Sequence, residues 1–307
     1  MAVASLALQR ELTVARAPGA RGPRHLSAAS GLARIGSRIY VIADDEHHLG
    51  VFIDHDERPG SLLRLRRGAL PPGKEARKRR KADSESLVVL PPFDRHPHGA
   101  LFALGSGSRP NRRAAVLLAL NAEGSITGRP RAIGLTHCFA RLQREFRDVN
   151  IEGAFIDGDH LALLQRGNKR NPRNARVRIS LAPFLEALAE KRTMPAPKLA
   201  DITDFTLGTF DGAPLSFADG STLGGGAFAF TAVAEATQDS YADGACVAAA
   251  IGIIDRDDRL HSLWQLEPPL KVEGIDARLT DKALELMVVT DADDASLPAQ
   301  LLTVTLR

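Results

Sequence analysis

The stretch Ile151-Glu152-Gly153-Ala154, followed by Leu161-Ala162-Leu163-Leu164, Gln165-Arg166-Gly167-Asn168 and Val177-Arg178-Ile179, sets out a pattern. A small or acidic anchor leads to a short apolar run, a polar cluster and a second apolar run. The same order recurs around Ser30, with Ile39-Tyr40-Val41-Ile42-Ala43, Asp44-Asp45-Glu46 and Gly50-Val51-Phe52-Ile53. It recurs again at Glu85, with Leu101-Phe102-Ala103-Leu104, Gly105-Ser106-Gly107-Ser108-Arg109 and Val116-Leu117-Leu118. At Ser216 the runs are Phe228 to Val233 and Val247 to Ile254, separated by Ala234-Glu235. At Glu273 they are Leu286 to Thr290 and Leu302 to Thr305, separated by Asp291-Ala292-Asp293-Asp294. Each run is aliphatic or β-branched and bounded by Gly, Asp, Asn or Pro, the marks of strands and turns.

The anchors at 30, 85, 152, 216 and 273 are spaced by 55, 67, 64 and 57 residues. A repeat of this length with about four strands per unit is the sign of propeller blades. The 35 residues after the last anchor are too few for a unit, and the 29 before the first supply the remainder. Leu12-Thr13-Val14 is the expected closing strand, which would remove an exposed sheet edge. Outer strands are expected at Leu62–Leu65, Ala132-Ile133, near Ile202 and at Leu263–Leu266. The chain therefore reads as all-β: one β-propeller domain over residues 1–307, with five blades and an N-terminal closing strand. Six blades is the alternative count, and an irregular sandwich or barrel the competing architecture. Two helical inserts interrupt the pattern. Phe139, Leu142, Phe146 and Val149 recur at helical spacing, and Leu181–Glu190 carries Pro183 in its first turn.

Composition narrows the class. Hydrophobic residues make up 44% of the 307 residues, enough for a core, and the net charge is only +3. Two cysteines exclude a disulfide framework and a cysteine-rich zinc module. No apolar run is long enough for a membrane helix. The N-terminus makes a poor signal peptide, so a soluble protein in a reducing cytoplasm is expected. Residues 1–200 hold 34 Lys/Arg against 19 Asp/Glu, and residues 201–307 hold 6 against 18. Ten of the basic residues fall between Glu57 and Lys81. This is one basic loop on a near-neutral body, which disfavours nucleic acid as a partner. Gly105–Ser108 lacks the Lys-Ser/Thr of a P-loop, no nucleotide cofactor is expected, and no Gly-x-Ser-x-Gly elbow occurs. His47, His48, His96 and His98 have no zinc-ligand spacing.

In a propeller, the start of each inner strand and the polar cluster after the second strand meet at one end of the channel. That places Ser30, Glu85, Glu152, Ser216 and Glu273 beside Asp44, Asp45, Glu46, Arg109, Arg166, Asn168, Glu235, Asp291 and Asp293. Crowded carboxylates need a cation or must hold protons. Calcium takes six to eight oxygen ligands from such residues, and Asp44, Glu152, Asn168, Glu273 and Asp293 are the expected metal ligands. Structural capping of turns is the alternative role for any one of them.

The segments Ser30-Gly31-Leu32, Asn150-Ile151-Glu152-Gly153, Gln165-Arg166-Gly167-Asn168, Lys271-Val272-Glu273-Gly274 and Thr290-Asp291-Ala292-Asp293-Asp294 resemble an uncharacterised bacterial β-propeller family, known as a domain of unknown function. The resemblance spans nearly the whole chain and implies a propeller without an established activity. More distantly, the Glu-Gly anchors are similar to those of phytase-like, esterase-like and gluconolactonase/regucalcin-type propellers, whose channel carboxylates bind a divalent metal. A clear full set of lactonase ligands is not present. The expectation is a metal-dependent hydrolase of a small ester, lactone or phosphoester, with Glu152 and Glu273 catalytic. Ser30, Glu85, Arg109, Arg166 and Asn168 would contact an anionic or ester ligand. The alternative is a non-catalytic scaffold that binds a ligand or protein partner.

Overall fold

The computed structural model describes residues 2–18, 22–71, 73–168, 171–210, 212–235, 246–281 and 283–306. Five sheets surround one axis, each a meander in which the first strand lies innermost. After β1 (Ala2–Ala4) and β2 (Ala7–Glu11), blade one holds β3 (Ala29–Ile35), β4 (Arg38–Ala43), β5 (His48–Ile53) and β6 (Ser61–Arg64). Blade two holds β7 (Ser84–Leu90), β8 (Ala100–Gly105), β9 (Ala114–Leu120) and β10 (Ile126–Gly134). Blade three holds β11 (Ile151–Asp157), β12 (His160–Gln165), β13 (Asn174–Ser180) and β14 (Leu199–Phe205). Blade four holds the inner strand β16 (Ala213–Gly224), with the two-residue β15 (Thr209–Phe210) paired to its start, then β17 (Ala227–Glu235), β18 (Cys246–Ile254) and β19 (Leu260–Leu266). Blade five holds β20 (Val272–Leu279), β21 (Leu284–Thr290) and β22 (Gln300–Leu306). The count is five.

Two-sided burial explains why these strands read as unbroken apolar runs rather than alternating ones. In β8, Ala100, Phe102 and Leu104 pack toward blade three, whereas Leu101 and Ala103 pack toward blade one. In β17, Phe228, Phe230, Ala232 and Ala234 face blade three, and Ala229 and Val233 face blade five. The core is thus five apolar seams, one between each pair of neighbouring blades. Phe205, Phe217, Phe228 and Phe230 stack mostly edge-on in the seam of blades three and four.

The N-terminus closes the ring in two places. β2 pairs antiparallel with β22, and β1 pairs parallel with β19 of the neighbouring blade. The closing strand is Ala7–Glu11 rather than Leu12–Val14. Leu12 and Val14 are instead buried in the seam of blades one and five, where Thr13 and Val14 make only single bridges. Arg10 fixes this junction, donating to the carbonyls of Asp56 and, at 2.8 Å, Arg58, and lying 5.0 Å from the Phe52 ring centre.

Three helices lie outside the blades. α1 (Lys74–Arg80) is the basic segment expected as a loop; all seven of its residues are strong helix formers. α2 (Thr136–Leu142) ends earlier than its apolar period, because the chain must turn at Gln143 to enter β11, yet Phe146 and Val149 still fill the same seam. α3 (Leu181–Glu190) matches its expected bounds. Among the described residues, no helix is long and apolar enough to cross a membrane.

Starting the chain at Leu12 removes β1 and β2 and leaves β22 as an unpaired edge. The thermal midpoint should fall by about 10 °C or more, with aggregation on heating. An unchanged midpoint in calorimetry would show that the strap does not close the ring.

Candidate functional site

Each inner strand carries at least one irregularity. The ladder of β3 slips between Ala29 and Gly31, that of β7 between Ser84 and Ser86, and that of β11 between Ile151 and Gly153. In β20 it slips between Val272 and Ile275. A bulge leaves its extra residue unpaired and bends the strand, so Ser30, Glu85, Glu152 and Glu273 are released from regular pairing at the channel mouth. In blade four the slip falls between Phe217 and Asp219, and Ser216 stays in register opposite Val233. Close approach of the inner strands follows. A Cβ on Gly153 would stand 2.9 Å from the Asp219 Cα, and one on Gly274 would stand 2.7 Å from the Leu32 amide nitrogen. Asp219 braces this contact by accepting the Ile275 amide at 3.1 Å. Burial pushes its carboxyl far above the usual range, against the pull of the surrounding backbone amides.

Three linked charge groups occupy the mouth. In the first, the Lys81 ammonium contacts Asp44 and lies 3.0 Å from Asp83. The Arg112 guanidinium is 2.7 Å from Asp83, and Ser106 donates its hydroxyl to the same carboxylate. Asp83 holds this position at φ 55°, in the sparsely populated left-handed region. One oxygen each from Asp44, Asp83 and Glu85 lie within 4.8 Å of one another. In the second group, Arg166 lies 2.9 Å from Glu235 and 3.6 Å from Glu152. In the third, Lys271 reaches Asp293 at 2.8 Å, Asp291 at 3.2 Å, Glu235 at 3.4 Å and Glu273 at 3.8 Å.

Carboxyls outnumber cations in this network, and their protonation reflects it. Burial, then the charges of Glu152 and Asp83, push Glu85 far above the usual carboxylate range. Burial also raises Glu152 and Glu273, although Arg166 and Lys271 oppose it. Asp45, half-buried between Asp44 and Glu46, is pushed up to about 7 by desolvation and those two charges despite Arg77. Asp291 likewise rises to about 7 through burial, with Asp44 and Asp293 adding to it.

A cavity of about 530 Å³ opens beside this network, between blades one and five. Asp44, Lys81, Lys271, Asp291 and Asp293 line its inner wall, and Arg77 and Lys78 of α1 its outer one. Arg77 anchors α1 there, 2.8 Å from Glu46 and 3.4 Å from Asp45.

The fold brings together most of the expected acidic residues, but as three groups. Of the expected metal ligands, Asp44 belongs to the triad, Glu152 sits with Arg166, and Glu273 and Asp293 sit with Lys271. Asn168 lies in the loop after β12, where it accepts the Asn171 amide at 2.8 Å and donates to Asp148 at 3.5 Å. Ser30 is buried and donates to the Ser84 carbonyl at 3.0 Å, tying blade one to blade two. Arg109 is exposed at the start of a 3₁₀ turn, Pro110–Arg112, and Arg112 at its other end enters the network. Asp83, Lys81, Arg112 and Lys271 were not singled out from the sequence. Asp83 and Lys271 each stand two residues before an anchor glutamate, a regularity visible in the sequence.

The residues present fit a hard divalent cation. The triad is all-oxygen, and Glu85 is 7% exposed. Among the described residues, Glu85 has neither a hydrogen bond nor an ion pair to its side chain.

Fold and site together define a five-bladed all-β propeller with an acidic channel mouth. Residues 25–306 match a family described as a family of unknown function (DUF6929), and the chain belongs to it. Comparison with curated proteins finds no match. Among solved structures, the catalytic domain of a GH62 α-L-arabinofuranosidase from Coprinopsis cinerea is similar at 10% identity, covering 98% of this chain and 96% of that one, with a TM-score of 0.51. At that identity the likeness bears on the fold alone. A luciferin-regenerating enzyme (10% identity, 92% of each chain, TM-score 0.47) is also similar. So is a PQQ-bound aldose sugar dehydrogenase from Streptomyces coelicolor (11%, 98% of each chain, TM-score 0.41). Neither carries an argument about function.

Asp45 and Asp291 hold protons up to about pH 7 in the folded chain but only to about pH 4 when unfolded. Between those values the folded state binds more protons, so their contribution to stability is lost as pH rises through the window. Wild type should therefore lose at least about 2 °C more than Asp45→Asn/Asp291→Asn between pH 5 and pH 8 in thermal melts. Parallel curves would place both carboxyls in the ordinary range.

Proposed function

We propose that the protein is a hydrolase of a small ester, lactone or phosphoester that enters the cavity between blades one and five. The observation that carries this reading is the convergence of Glu85, Glu152 and Glu273, all buried, at the channel mouth, behind the Asp44, Lys81 and Lys271 side chains that line that cavity. Buried carboxyls with raised proton affinities are suited to move protons. Glu152, 3.6 Å from the Arg166 guanidinium, serves as the base, and Glu273 serves as the acid. In the reaction, water attacks the carbonyl carbon or phosphorus and gives its proton to Glu152. The bond to the leaving oxygen breaks, and Glu273 protonates that oxygen. Arg166 holds Glu152 and Glu235 in place, and Arg77, Lys78 and Lys271 favour substrates with negative charge.

Asp44, Asp83 and Glu85 would hold a divalent cation, calcium by their all-oxygen chemistry. Such an ion supplies polarisation of a substrate oxygen and charge neutralisation.

Purified protein with calcium should hydrolyse at least one class in a panel of p-nitrophenyl esters, lactones and phosphoesters. Glu152→Gln and Glu273→Gln should each lower kcat about 100-fold or more, with the thermal midpoint preserved. Turnover equal to wild type in both variants, or no turnover of any class, would overturn the reading.

A further inference from the structure

Lys81 stands against two of the three carboxyls that converge at this point. It closes the C-terminal end of α1, and its ammonium lies against Asp44 and 3.0 Å from Asp83. The third carboxyl of the group, Glu85, is left without a hydrogen bond or ion pair among the described residues, although it is 7% exposed and its oxygen lies within 4.8 Å of the other two. One ammonium therefore contacts two of three converging carboxyls and acts on the third, buried Glu85, only at longer range. A buried carboxylate without a partner is strongly disfavoured in a low-dielectric setting.

The surroundings allow an exchange. Lys81 lines the cavity, so its four-carbon stem borders open space. The cavity wall also carries Asp45, Glu46 and Asp291, which can receive an ammonium that leaves the triad. Asp83 is held by Arg112 and Ser106 independently of Lys81, so it keeps its place when Lys81 departs.

We propose that Lys81 is the built-in counter-ion of a divalent-cation site formed by Asp44, Asp83 and Glu85, and that ion binding displaces its ammonium into the cavity. Hard, oxygen-preferring ions are the class selected: calcium, magnesium or manganese. The ion enters a site where a resident charge already neutralises two ligands, so Lys81 sets the affinity. The proposal rests on the hydrolase reading only in that both use this cavity.

The test is isothermal titration of calcium chloride into the full chain, freed of metal with a chelator. Lys81→Met should bind one ion per chain on the order of tenfold more tightly than wild type, because a competing unit charge has gone. Lys81→Arg should stay near wild type, and Glu85→Gln should bind at least about tenfold more weakly than wild type. Lys81→Gln repeats the first arm should Lys81→Met fail to fold. Equal affinity in wild type and both neutral Lys81 variants, undiminished binding in Glu85→Gln, or no binding in any form would overturn the proposal. The two readings fail separately. Ion binding with this ranking but no turnover of the ester, lactone and phosphoester panel sinks the hydrolase alone. Turnover without ion binding sinks this site alone.

Discussion

Five inner strands share one axis, and the carboxyls released at its mouth exceed the cations able to neutralise them. A bulge in each inner strand frees one residue from the ladder, and in blades two, three and five that residue is a glutamate. Burial makes their charge costly, and proximity makes it costlier. The structure answers with Lys81, Arg112, Arg166 and Lys271, each shared between at least two acidic groups or polar neighbours. The remaining excess is carried as bound protons, visible in the raised proton affinities of Glu85, Glu273, Asp45 and Asp291.

The scaffold that imposes this crowding is apolar and continuous. Each sheet is buried on both faces, so five seams hold the inner strands at close spacing, and Gly153 and Gly274 admit the neighbouring backbone where a side chain would not fit. Asp219 marks the blade whose bulge falls beyond its anchor position, Ser216. With Ala218 at the bulge, blade four adds no anchor carboxylate, and the aspartate that follows binds an amide of blade five instead. The acidic mouth is therefore asymmetric. Its acids come from blades one, two, three and five and from Glu235 at the end of β17.

Much of this was legible in the chain. The repeat, its five units, the N-terminal closure and α3 follow from strand and turn chemistry that every blade must repeat. Glu85, Glu152 and Glu273 were found because the anchor recurs in phase. What escaped depends on contacts the repeat does not encode. Arg112 rather than Arg109 enters the network because a 3₁₀ turn separates the two. Asp83 sits before the anchor in a left-handed conformation that nothing in its neighbours' identity demands. Lys81 lay in a charge run that resembled solvated loop, whereas α1 places the run against Asp45 and Glu46. The closing strand was set five residues too late because Leu12 and Val14 are apolar for a seam, not for a ladder.

In this proposal the triad of Asp44, Asp83 and Glu85 is a cation site held in reserve by Lys81. Anomalous X-ray diffraction from crystals grown with manganese tests this most directly. The prediction is a single strong peak within coordination distance of Asp44, Asp83 and Glu85, with the Lys81 side chain turned into the cavity. An absence of density there, or an ion bound elsewhere while Lys81 still bridges Asp44 and Asp83, would contradict it.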